Sequence, residues 1–307
     1  MTSYPLAWNP TQTQTLLGHS GAISILTVAG ELLISGSTDR TVRIWHWGSG
    51  ELRHCLRGHG GPIRGLGLTR WRGRELLVSG CRFGEIRFWD PHTGEGVGQL
   101  ETGLESVQAL VVSSDGSRLV VAGGSDGVIQ VWDLQSRQPY LQLRGHADRI
   151  HSLYLSQGGA FLASVSDDET VWIWDLVAGE GIQRIPSIGP LNAVALTPDG
   201  RQLAGGGVDY ALKRWDPLTG KLLGVHPEHD NWIRAVAIDP TGRWLATGGD
   251  DYSIWLHHLP LCIALRVYRD PVACISALAF SCDGRTLISG NRSGSIRLWS
   301  VNLWSVN

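Results

Sequence analysis

The side chains able to do chemistry are few and scattered. His226-Pro-Glu-His229 and His257-His258 each offer two imidazoles that could ligate a metal. Asp167-Asp168-Glu169 and Asp250-Asp251 are carboxylate clusters of the kind used for general acid–base work. The five cysteines (Cys55, Cys81, Cys262, Cys274 and Cys282) are odd in number and contain no C-x-x-C pair, so neither a disulfide framework nor a zinc motif is suggested. A reducing cytoplasm is the expected location. No Gly-rich loop leading into a helix is present, which removes the nucleotide motifs. Asn291-Arg-Ser293 is a glycosylation sequon that a cytoplasmic chain would not use.

The elements that must carry these residues are short strands. The 307 residues include 40 Gly and 14 Trp but one Met, a balance poorly suited to long helices. With 42% hydrophobic and 18% charged residues, the chain can bury a large core. Trp residues close short apolar runs at 45, 89, 132, 174 and 215, with successive gaps of 44, 43, 42 and 41. Trp299 follows 84 residues after Trp215, and His257 sits at the midpoint, so seven units are present. A Gly-His or related signal opens several units (His19, His59, His146, His229), with an apolar residue four positions later (Ile23, Ile63, Ile150, Ile233). Hairpin turns such as Ser114-Asp-Gly116 and Pro198-Asp-Gly200 follow. The phase of the repeat puts His229, Asp168 and Asp251 at recurring positions of the unit, so no metal, no cofactor and no catalytic site is expected.

This grammar, with Trp-Asp at 89–90, 132–133, 174–175 and 215–216, resembles the WD40-repeat β-propeller family. The resemblance implies an all-β, seven-bladed propeller with four antiparallel strands per blade. It also implies a buried hydrogen-bond chain of His, Ser or Thr, Asp and Trp in each complete blade. Two blades match fully, through His19, Ser35, Asp39 and Trp45, and through His146, Ser164, Asp168 and Trp174. In the second, Phe83 replaces the Asp; in the sixth, His257 replaces the Trp; the third and fifth lack the His; the seventh keeps only Ser289 and Trp299. Trp8-Asn-Pro-Thr11 reads like the end of a repeat, so residues about 11–17 are expected to close the ring beside about 294–299. One domain is expected over 1–302. The duplicated LWSVN leaves 303–307 as a tail in which Trp304 could dock.

The net charge of −2 argues against a nucleic-acid binder driven by bulk charge. No apolar run is long enough to span a membrane, and the first ten residues lack the pattern of a signal peptide. Only Lys213 and Lys221 are lysines, so the remaining basic residues are arginine. In propellers of this family partners often dock on the face bearing the loops between outer and inner strands. The resemblance places Arg64, Arg82, Arg149, Arg234 and Arg292 on that face against Asp167 and Asp250, with His151 and Trp232 beside them. Arginine forks suit carboxylates and phosphates, and Trp and Arg are common binding anchors. The expected function is a non-enzymatic scaffold or adaptor for protein partners that binds an acidic or phosphorylated segment. A nucleic-acid-associated propeller using the same arginines, and an enzyme with a site in the central channel, are the alternatives.

Overall fold

In a computed structural model, which describes residues 12–124, 126–261 and 263–301, each repeat folds as a meander of four antiparallel strands. The first blade comprises Ile23–Ala29, Leu32–Ser37, Val42–His46 and Glu51–Leu56, ordered from the axis outward. Seven such sheets are present, and no helix occurs among the described residues. None is therefore long and apolar enough to cross a membrane. Gln12–Leu16 completes the last blade by pairing with Ile296–Ser300, placing Leu16 opposite Ile296 and Gln12 opposite Trp299. This is the seven-bladed, N-terminally latched propeller implied by the repeats. Trp8, the duplicated tail with Trp304, Ser125 and Cys262 lie outside the described residues.

A single blade cannot bury both faces of its sheet, so neighbours must interlock. The first apolar residue of an inner strand seats against a glycine on the second strand of the preceding blade. A Cβ added at Gly36 would lie 2.6 Å from Ile63, at Gly206 2.6 Å from Ile233, at Gly248 2.5 Å from Ile275, and at Gly290 2.4 Å from Ile23. All four isoleucines are fully buried. The contact between Gly290 and Ile23 joins the last blade to the first, so ring closure uses the same notch as the internal interfaces.

The inner hairpins share a second device. Immediately after the seated residue the register shifts, between Ile23 and Ile25, Ile63 and Gly65, Ile150 and Ser152, Leu191 and Ala193, Ile233 and Ala235, and Ile275 and Ala277. Such a bulge leaves one residue outside the ladder and re-aims its side chain. The residues so released are Ser24, Arg64, His151, Asn192, Arg234 and Ser276. All of them, with Gln108 of the third blade, border the central channel, a cavity of about 810 Å³.

Candidate functional site

The chemically equipped residues divide into a buried network within the blades and a polar mouth around the channel. In the first blade His19 Nδ1 lies 2.8 Å from Asp39 Oδ2, His19 Nε2 lies 2.8 Å from Ser35 Oγ, and the Trp45 indole N–H donates to the same oxygen at 2.9 Å. The fourth blade repeats this with His146, Asp168, Ser164 and Trp174 at 2.9, 2.7 and 2.8 Å. Burial pushes both imidazoles below their ordinary pKa, against the pull of Asp39 and Asp168. Burial opposes ionisation of Asp39 too, but hydrogen bonds from Thr41 and His19 outweigh it and bring that carboxyl down to about 2. A neutral imidazole donating Nδ1–H to the carboxylate must accept at Nε2. The serine hydroxyl then donates to the ring while accepting from the indole, and every polar atom in the chain is matched.

The incomplete blades replace the missing parts in ways that the repeat alone does not reveal. In the second blade, His59 Nε2 lies 2.6 Å from Ser79 Oγ, which also accepts the Trp89 N–H at 2.8 Å. Phe83, in place of the turn acid, is exposed. Glu85, two residues on, brings Oε2 to 3.4 Å from His59 Nδ1 while Oε1 accepts from Arg87 Nε at 2.6 Å. Burial brings the His59 pKa down to about 4, against the pull of Glu85. Glu85 stands where the complete blades carry Thr41 and Thr170, so a search for the acid at the turn itself passes over it. In the fifth blade the buried Lys213 pairs with Asp209 and donates to the Ile188 carbonyl. In the seventh, the buried Asp270 accepts from Asn291 Nδ2 at 2.8 Å and Arg297 Nε at 3.0 Å. Asn291 is thus both buried and engaged, which takes the sequon out of reach of modification in the folded chain.

The members of the two histidine pairs face different partners. His229 is taken up by Thr247 at 2.8 Å and Asp251 at 3.0 Å. His226 packs edge-on against His257 instead, beside Arg214 and a cavity of about 10 Å³. Burial brings the His257 pKa down to about 3, while burial pushes that of nearby Glu228 up to about 7.

At the mouth, the candidate residues separate by partner. The residue before each turn position is fixed by one recurring backbone bond: Thr38 N–H to Ala22, Arg82 to Pro62, Asp167 to Arg149, Val208 to Pro190, Asp250 to Trp232 and Arg292 to Cys274, all at 2.9–3.1 Å. Each therefore stands beside the bulge residue of its own blade. His151 Nε2 meets Asp167 at 2.7 Å. Arg234 binds Asp250 through Nε at 2.9 Å and Nη2 at 2.7 Å, and its guanidinium lies 4.5 Å from the Trp232 ring centroid. Arg292 reaches the same Asp250 at 3.2 Å from the next blade. Ser24, Asn192 and Ser276 are committed to the fold, donating to the Ile63, Ile233 and Ile23 carbonyls of the following blade.

Arg64 differs. Its Nε is buried with no hydrogen-bond partner, and its pKa is lowered by burial first and then by the positive charges of Arg82 and Arg149. Among the described residues, none of these three arginines has an ion-pair partner. The face that sequence reasoning treats as one basic surface therefore contains a neutralised sector (His151, Arg234 and Arg292) and an uncompensated one (Arg64, Arg82 and Arg149).

Seven meander sheets interlocked about a polar-rimmed channel define a repeat-built β-propeller. The profile described as WD domain, G-beta repeat matches residues 10–46, 97–133, 137–175, 220–258 and 264–300, and the chain belongs to that family. The first three strands of the second and fifth blades, with their rebuilt networks, fall in the unmatched stretches. Among curated relatives, the nuclear distribution protein nudF of Aspergillus niger is 26% identical over 234 residues, covering 75% of this chain and 43% of the relative. Autophagy-related protein 16 of Arabidopsis thaliana is 26% identical over 277 residues, 88% of this chain and 45% of the relative. The SIR4-interacting protein SIF2 of Saccharomyces cerevisiae is 38% identical over 81 residues, 26% of this chain and 15% of the relative. The matches thus span less than half the length of each of these relatives.

Proposed function

We propose that the chain is a non-enzymatic scaffold whose propeller, folded as one domain over 1–302, captures an acidic or phosphorylated segment of a protein partner. The reading narrows the docking face to Arg64, Arg82 and Arg149, with Phe83 as an apolar neighbour and His151, Trp232, Arg234 and Arg292 completing the rim. The observation that carries it is the buried, unpartnered Nε of Arg64 facing two further guanidiniums. Three like charges held together without a carboxylate are costly until an anion arrives, and arginine forks match carboxylate or phosphate oxygens two at a time. The exposed ring of Phe83, 66% accessible, adds an apolar anchor at the same edge. A relative named for interacting with SIR4 is in keeping with a protein-binding role. The described cysteines are free thiols, consistent with a cytoplasmic setting.

The test is fluorescence anisotropy with labelled phosphoserine peptides, glutamate-rich peptides and a single-stranded oligonucleotide. Arg64→Gln, or Arg82→Asp, which supplies the missing acid, is expected to weaken phosphopeptide binding about tenfold or more, from one charged hydrogen bond of about 1.5–3 kcal/mol. Arg292→Gln, already neutralised by Asp250, is expected to change it less than about threefold. Equal effects at both sectors overturn the assignment of the docking face. Oligonucleotide binding that is tighter than any peptide's and falls steeply with salt replaces the reading with a nucleic-acid one.

A further inference from the structure

We propose that His59, Cys81 and Glu85 of the second blade form a binding site for a divalent zinc-type cation. Their ligating atoms all lie within 4.8 Å of one another. His59 Nδ1 lies 3.4 Å from Glu85 Oε2, and Cys81 Sγ lies 3.9 Å from the same oxygen. Nitrogen, oxygen and sulfur ligands at about 2.0–2.3 Å from one tetrahedral ion stand roughly 3.3–3.8 Å apart. The spacing is thus close to that of ligands around a common centre, and long for direct hydrogen bonds. Thiolate, imidazole and carboxylate together suit zinc and are a poor match for magnesium or calcium, which take oxygen.

A second observation points the same way. The His59 side chain is 2% exposed, and its Nδ1 has no hydrogen-bond partner, whereas the equivalent atoms of His19 and His146 bond to carboxylates at 2.8 and 2.9 Å. The other ring nitrogen is occupied by Ser79 Oγ, itself held by Trp89. If Nε2 carries the proton and donates to Ser79, the Nδ1 lone pair faces Cys81 and Glu85, the arrangement by which ligating histidines are oriented. Glu85 is fixed in turn by Arg87 at Oε1, leaving Oε2 toward the cluster with only a 3.4 Å contact from the Gly60 N–H besides the thiol. A thiolate and a carboxylate carry two negative charges, which a dication neutralises despite the nearby guanidinium.

Three positions of the blade change together to make this cluster. Cys81 takes the place of Ser37 and Ser166, Phe83 that of Asp39 and Asp168, and Glu85 that of Thr41 and Thr170. The spacing His-x21-Cys-x3-Glu matches no sequence rule for zinc, so only the fold brings the ligands together. The fourth position about the ion is left to water or an incoming donor.

The test uses the whole chain, stripped with a chelator and titrated with Zn²⁺ against a chromophoric competitor, and separately with Co²⁺. One equivalent of metal is expected, with a near-ultraviolet thiolate-to-cobalt charge-transfer band. Cys81→Ser restores the residue of the complete blades and should preserve the fold, judged by near-ultraviolet circular dichroism. It should abolish the band and weaken zinc binding about a hundredfold, at least the loss caused by disturbing an orienting partner. Cys55→Ser, Cys274→Ser and Cys282→Ser should leave both unchanged. Absence of stoichiometric binding, or a band that survives Cys81→Ser in folded protein, overturns the site. Phosphopeptide affinity is measured in parallel on Cys81→Ser, so loss of the metal site and failure of the arginine reading are separately visible.

Discussion

Ser164→Ala and Ser289→Ala make the same chemical change at the same place in two blades, yet their costs should differ. Both serines are fully buried. Ser164 Oγ holds two polar groups, His146 Nε2 at 2.7 Å and the Trp174 N–H at 2.8 Å. Ser289 Oγ holds the Trp299 N–H at 2.8 Å, in a blade without the histidine. Deleting the oxygen removes the same volume from each site, so the packing loss largely cancels. What remains is the number of buried groups left without a partner, at about 1–3 kcal/mol each. Ser164→Ala should therefore cost about 2–6 kcal/mol and Ser289→Ala about 1–3 kcal/mol. Thr247→Val, which orphans His229 Nε2 where His257 has replaced the tryptophan, should fall with Ser289→Ala. Guanidinium titration followed by tryptophan fluorescence measures the totals. Amide exchange in the affected blade is needed beside it, because a ring of repeats need not unfold in one step. Equal losses at the two serines, or a larger loss at Ser289, would refute the relay in which one hydroxyl serves both the ring and the indole.

The remaining expectations concern ring closure and acid. Gly290→Ala places a methyl 2.4 Å from Ile23 across the junction of last and first blades, and should lower stability by about 1–3 kcal/mol. Limited proteolysis should then cut first near Gln12–Leu16, and wild-type resistance there would contradict the notch. His19, His59 and His146 all have pKa values lowered in the folded chain, that of His59 to about 4. Below about pH 6.5 the unfolded chain binds protons that the folded chain refuses, so stability must fall as pH falls. The slope is at most about 1.4 kcal/mol per unit for each histidine, with the His59 contribution exhausted near pH 4. Asp39 and Asp251, both brought to about 2 because hydrogen bonds outweigh burial, extend the loss from their ordinary range down toward that value. Thermal midpoints between pH 7 and 4 check the sign, and a flat profile refutes it.

The frame was legible in the sequence because a propeller repeats its requirements. Trp45, Trp89, Trp132, Trp174, Trp215 and Trp299 mark one strand edge after another, and the apolar residue four positions after each histidine marks the seat at the next interface. Closure was legible because Trp8-Asn-Pro-Thr11 reads like the end of a repeat, just ahead of the strand that pairs with Ile296–Ser300. Compensation was not. Glu85 brings a carboxylate within 3.4 Å of His59 from a hydroxyl position, and Asp270 engages Arg297 from 27 residues away. Neither partner stands where the pattern looks for it. The bulges were hidden for a different reason: skipping one residue preserves an apolar–polar alternation on paper while moving that residue out of the ladder. Ser24, Asn192 and Ser276 then serve the neighbouring blade, a use with no composition signal at all.

Charge at the mouth follows from this geometry rather than from a tally. In the fourth and sixth blades the bulge residue is basic and the residue beside it is acidic, giving His151 with Asp167 and Arg234 with Asp250. In the second blade the same two positions are Arg64 and Arg82. The backbone bond that fixes the rim residue is the same in all three, 2.9 Å from Arg82, Asp167 and Asp250 to the strand entering the bulge. The scaffold therefore presents one pairing slot per blade, and the sequence fills two with opposite charges and one with like charges. A slot filled with like charges has no folding benefit to explain it, because it raises the cost of burying Arg64 and repays nothing within the chain. Under the proposed function that cost is recovered when an anion enters, so the second blade, and not the blade with the more heavily engaged arginines, is where the proposal is tested for a partner's acidic group.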